Sequence, residues 1–200
     1  VISRLEDLGV ALFRINLSHT TIGDLENTID FIQARTNVPI CLDSEGAQVR
    51  SGKLENGEVV LEEHTLLEVT SKPIVGNEKR FCLYPDYIVD KLIDGDFISV
   101  DFNSVLLQVV ETNSGYATLR VLNGGKMGQN KAVSIERPIA MSPLTEKDEQ
   151  AIKIGVRKGI RNFALSFANF GDDVDKIRKL CGNDAIVISK IECRNGFMNL

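Results

Sequence analysis

An α/β fold interrupted by an all-β region is the class this sequence predicts, and three observations carry the prediction. Short, nearly continuous apolar runs alternate with helical patterns at both ends of the chain. From Ser51 to Arg137 the pattern becomes apolar–polar alternation with frequent glycine. At PLTEKD, residues 143–148, the α/β rhythm resumes.

Each element has its own signal. Ile2, Leu5 and Leu8 have helical spacing, and Gly9 ends the turn. GVALFRIN, residues 9–16, reads as a strand buried on both faces. Thr21 and Asp24 start a helix whose apolar face is Ile22, Leu25, Ile29 and Ile32. Pro39 precedes a second buried strand, ICLD. In DFISVDFN, Ile98, Val100 and Phe102 alternate with polar residues. Ala117, Leu119 and Val121 do the same in YATLRVL, so both are half-buried antiparallel strands. Asn123-Gly124-Gly125 reads as a hairpin turn. Thr145 and Asp148 cap a helix to about Lys158, which leads to the strand RNFALSF. Val174, Ile177 and Leu180 mark another helix, and AIVISKIE, residues 185–192, is the last strand.

Four buried strands separated by helices imply a parallel sheet. An open doubly wound sheet and part of a barrel both fit. The expected division is 1–50 and 138–200 for the α/β part and 51–137 for the inserted β domain. The chain starts at Val1 inside a helical pattern and stops at Leu200 just after a strand, so it reads as part of a longer protein.

Composition narrows the function. With 26% charged residues, a net charge of −5 and no basic block, a nucleic-acid or anionic-membrane partner is disfavoured. No run of eighteen apolar residues offers a membrane span. Cys41, Cys82, Cys181 and Cys193 form no CxxC pair and read as packed, reduced thiols, which points to the cytoplasm.

Polar residues gather at the C-terminal end of each predicted strand: Arg14, Asn16 and Ser18; Asp43 and Ser44; Ser166 and Asn169; Lys190 and Glu192. In parallel α/β folds these ends share one edge, where binding sites form. Arginine and lysine suit phosphate or carboxylate groups. Asn16, Ser18 and Asp43 offer hard oxygen ligands, and Glu192 suits a divalent metal such as Mg²⁺. Cations and a metal around an anionic substrate are what phosphoryl transfer needs.

These stretches resemble those of the pyruvate kinases. FRINLSHT resembles R-x-N-x-S-H-G, and CLDSEGAQVRSG resembles L-D-T-K-G-P-E-I-R-T-G. VLNGGKMGQNKAVSIE, PLTEKD, LSFAN and VISKIECRNG match further family stretches in the same order. The resemblance implies a partial (β/α)8 TIM barrel with an inserted small antiparallel β-barrel domain as a lid. It implies transfer of a phosphoryl group from phosphoenolpyruvate to ADP, giving pyruvate and ATP in glycolysis. Arg14 and Arg50 would hold the phosphate, and Lys190 would stabilise the phosphoryl group in flight. Glu192 would be one ligand of Mg²⁺ (or Mn²⁺). Asn16, Ser18, Asp43 and Ser44 would form a K⁺ site. Homo-oligomerisation is expected only with a C-terminal domain, and these 200 residues alone are expected to be inactive.

The sequence also departs from that pattern. Glu45 stands where the family has lysine, Ala47 replaces a proline, and Gln48 replaces a glutamate tied to K⁺ dependence. Asp101-Phe102-Asn103 replaces a D-D-G lid motif, Thr20 a glycine, Asn169 an arginine, and Cys193-Arg194-Asn195 an N-x-E run. Two other readings therefore stand beside a divergent pyruvate kinase. One is a paralogue using phosphoenolpyruvate or pyruvate in a lyase or transferase reaction. The other is a non-catalytic binding relative.

Overall fold

The computed structural model describes residues 1–101 and 104–200. Phe102 and Asn103 of the altered lid motif lie outside the described residues. The elements, in chain order, are α1 (Ile2–Asp7), β1 (Phe13–Asn16), α2 (Ile22–Gln33), β2 (Ile40–Asp43), β3 (Val49–Ser51), β4 (Glu58–Leu61), β5 (Leu66–Thr70), β6 (Arg80–Tyr84), β7 (Phe97–Val100), β8 (Val105–Asn113), β9 (Tyr116–Asn123), β10 (Gly125–Gly128), β11 (Ala132–Ile135), α3 (Glu146–Arg157), β12 (Asn162–Leu165), α4 (Gly171–Cys181), β13 (Ile186–Ser189) and α5 (Arg194–Met198). They fall into two compact units, residues 1–47 with 141–200, and residues 48–140.

The first unit holds a four-stranded sheet in the order β1-β2-β12-β13, and all three pairings are parallel. Its core joins Leu42, Phe163 and Leu165 of the central strands to Leu25 and Ile29 of α2, Ala151 and Ile152 of α3, and Ile177 of α4. The capping residues explain where two helices begin. The Thr21 hydroxyl accepts the Asp24 N–H, and Thr145 and Asp148 form a reciprocal capping box.

Only the central two strands are as buried as the sequence suggests. The residues of β2 are all buried, and β12 is buried from Phe163 on. β1 begins at Phe13 rather than Gly9, and Arg14 on it is exposed. β13 ends at Ser189, before Lys190 and Glu192, and Ile186 and Ile188 are 60% and 42% exposed. An edge strand has a sheet neighbour on one side only, so the same apolar residues bury less there.

In the second unit, β11-β3-β6-β5-β9-β8-β7 close a barrel, while β10 pairs with β4. Pairing in the barrel is antiparallel except between β5 and β6, which run parallel. The alternation read from the sequence is borne out in β7 and β9: Ile98, Val100, Ala117, Leu119 and Val121 are buried inside. Gly124-Gly125 does not make a hairpin, because β9 ends against β8 and β10 pairs with β4. These glycines serve close approach instead: a Cβ on Gly124 would lie 2.6 Å from the Leu61 carbonyl oxygen.

Candidate functional site

The four parallel strands release their chain ends at one edge of the sheet. Register aligns Asn16 with Asp43 across β1 and β2, and Ala164 with both Asp43 and Ile188. Asp43 ends β2, is 1% exposed, and is the centre of a charged cluster. Arg14 Nε donates to its Oδ2 at 2.5 Å. Lys190 Nζ donates to its two oxygens at 3.1 and 3.2 Å. A buried carboxylate is costly unless paired and hydrogen-bonded, and Asp43 is both. The cations reach it from the two sides of the sheet, Arg14 on β1 and Lys190 just past β13, with the Arg14 side chain 56% exposed and that of Lys190 30%. The carboxylate is thus fixed inside, and the cations stand on its solvent side.

Glu192 completes the cluster. Its Oε1 lies 3.4 Å from Lys190 Nζ, and its Oε2 accepts the Phe167 N–H at 3.1 Å. The two side chains meet although the strand has ended. Lys190 is held by backbone bonds to β12 and its loop, with its N–H on the Leu165 carbonyl and its carbonyl accepting the Ala168 N–H.

Ser166, which is 3% exposed, ties these groups together. Its hydroxyl accepts from Lys190 Nζ at 2.8 Å and lies 2.7 Å from the Ser44 carbonyl and 3.1 Å from Asp43 Oδ1. Its N–H donates to the Ser44 hydroxyl at 3.0 Å. The sequence marks Ser166 only as one polar strand-end residue among several, because a serine carries no positional signal until the strands are placed.

The other predicted residues are located as follows. Asn16 Oδ1 accepts the Ser18 N–H at 2.9 Å, and the Leu17 N–H donates to the Asp43 carbonyl. Asn16, Ser18, Asp43 and Ser44 therefore lie on the adjoining ends of β1 and β2. Arg50 belongs to the second unit, on β3, where its Nη1 donates to the Asn130 carbonyl at 3.1 Å. Two departures from the family pattern touch each other: Cys193 Sγ lies 2.9 Å from Asn169 Oδ1, while the Asn169 amide donates to the Phe167 carbonyl.

The donor set can be tested against the expected metals. Among the described residues, no three His, Cys, Asp or Glu side chains converge as a metal cluster. A lone carboxylate at Glu192 still fits Mg²⁺, which takes one or two carboxylates and completes its shell with water and substrate oxygens. For a monovalent cation, Asp43, Asn16, Ser18 and Ser44 are suitable oxygen donors, though Asp43 is already engaged by Arg14 and Lys190. Close by, burial pushes the Cys41 thiol up to about 11, and the Asp43 charge adds to the rise.

Comparison with known proteins places this chain in a family. The family model described as pyruvate kinase, barrel domain, matches residues 1–200. A pyruvate kinase of Thermotoga maritima is 31% identical over 210 residues, covering 100% of this chain and 45% of the relative. One from Methylorubrum extorquens is 30% identical over 198 residues, covering 96% and 41%, and one from Geobacillus stearothermophilus is 32% identical over 217 residues, covering 98% and 36%. The chain belongs to the pyruvate kinase family. It spans less than half the length of these relatives.

Proposed function

We propose that this protein is a pyruvate kinase-type phosphotransferase, moving a phosphoryl group between phosphoenolpyruvate and ADP, with its parallel sheet forming part of a (β/α)8 barrel and residues 48–140 the inserted lid. The observation that carries the reading is the clasp on Asp43. Arg14 and Lys190 are held within 3.2 Å of one buried carboxylate, with Glu192 3.4 Å from the lysine. Phosphoryl transfer depends on positioning and on stabilising charge spread over the phosphoryl oxygens. A pre-oriented guanidinium and ammonium supply both.

Each residue then has a role. Arg14 presents its exposed guanidinium to the phosphate. Lys190 places its ammonium against the transferring group, its direction set by Asp43 and Ser166. By the family resemblance, Arg50 would be a second phosphate-binding arginine. Glu192 offers a carboxylate for Mg²⁺, which when bound would neutralise charge on substrate oxygens. Asn16, Ser18, Asp43 and Ser44 offer oxygens to K⁺. Phosphoenolpyruvate, ADP and pyruvate are the small-molecule partners, and the reading places the protein in glycolysis and in the cytoplasm.

Pyruvate formation by the full-length protein, followed in a coupled assay with phosphoenolpyruvate, ADP and Mg²⁺, tests the proposal. Lys190→Met should lower turnover by about 10²–10³-fold, the usual cost of removing one transition-state donor. Pyruvate formation no faster than in the Lys190→Met variant would reject it.

A further inference from the structure

We propose that Lys147 is a positioning residue for the strand-end site, clamping together the chain segments that carry Asn16, Ser18, Asp43 and Ser44; the functional part of this inference rests on the cation reading above. Lys147 lies in the first turn of α3. Its ammonium donates to the Leu17 carbonyl and lies 2.9 Å from Glu45 Oε1. Leu17 is the residue between Asn16 and Ser18, and Glu45 directly follows Ser44. One ammonium therefore grips the backbone after β1 and the side chain after β2, each one peptide unit from the oxygen donors.

The neighbouring Asp148 fixes the same loop from below. It is fully buried, and its carboxylate accepts the N–H groups of Glu45 at 2.7 Å, Gly46 at 3.1 Å and Thr145 at 2.9 Å. Gly46 has φ +70°, and a Cβ there would lie 2.4 Å from the Ser166 carbonyl oxygen. The loop is thus pressed onto the end of β12 and has little freedom to relax if a restraint is lost. The Glu45 and Lys147 side chains are 12% and 27% exposed, so their pair is shielded more than a surface bridge and is worth correspondingly more in geometry. Glutamate at position 45 makes this contact an ion pair.

The test compares the protein with its Lys147→Met, Lys147→Arg, Glu45→Gln and Lys147→Met/Glu45→Gln variants. Thermal unfolding is followed as K⁺ replaces tetramethylammonium at fixed ionic strength, so that the cation-dependent part of Tm reports K⁺ affinity. Lys147→Met should weaken the K⁺ half-saturation about tenfold, as loss of a residue supporting metal ligands does. Lys147→Arg should retain most of the affinity, and the double variant should be no worse than Lys147→Met. A lower Tm in both salts with an unchanged K⁺ half-saturation would overturn the proposal. If the unaltered protein shows no K⁺ dependence, the cation reading fails separately, and amide hydrogen exchange decides. Faster exchange confined to residues 17–20 and 44–47 in Lys147→Met supports the clamp, and unchanged exchange there refutes it.

Discussion

The central strands β2 and β12 and the flanking strands β1 and β13 are built from similar apolar residues but do different work. The central pair is buried along nearly its whole length, and its terminal polar residues Asp43, Ser44 and Ser166 are buried too. The flanking pair is partly exposed and contributes the accessible charges, Arg14 and, just past β13, Lys190 and Glu192. The rigid anion lies in the middle and the cations sit at the rim. A site arranged this way holds its cations in a fixed direction while leaving them open to an incoming anion.

If the contrast holds, core substitutions should separate the strands most sharply. Phe163→Ala on β12 should cost about 3–5 kcal/mol in urea unfolding, since Phe163 is fully buried among the helices. In the 200-residue chain, Ile188→Ala on β13, where the side chain is 42% exposed, should cost about 1 kcal/mol or less. Equal losses would remove the distinction.

Asp43→Asn should follow, at about 2–3 kcal/mol in the same measurement. This is less than the cost of breaking a fully buried pair, because Arg14 and Lys190 can return to water.

A smaller effect lies on the alkaline side. The Cys41 thiol has an ordinary value of 9.0 and is pushed up to about 11 in the fold. Above pH 9 the unfolded thiol loses its proton while the folded one keeps it. The stability is therefore complete below pH 9 and falls as pH rises toward about 11. Urea titrations at pH 8 and pH 10 should show a loss at the higher pH that is reduced in Cys41→Ala.

The sequence made the helix starts legible because a capping residue and its partner are three positions apart, as with Thr21 and Asp24 or Thr145 and Asp148. Two of the barrel strands, β7 and β9, were legible because alternation is local. What could not be read was the difference between central and edge strands, since GVALFRIN is as apolar as ICLD and only sheet order decides which is covered. Arg14, Asp43, Lys190 and Glu192 were nameable from strand ends and from family resemblance. Ser166 as a junction, the Asn169–Cys193 contact and the Glu45–Lys147 pair were not. The last joins residues 102 positions apart, and each side chain alone is an ordinary surface type.

The most direct test is calorimetric titration of the full-length protein with phosphoenolpyruvate in Mg²⁺, compared with its Lys190→Met and Asp43→Asn variants. The arrangement predicts that Lys190→Met weakens binding about tenfold or more, the scale of one charge-assisted contact to phosphate, and that Asp43→Asn also weakens it by loosening both cations. Equal affinity in all three proteins would contradict the claim that the clasp on Asp43 forms the phosphate site.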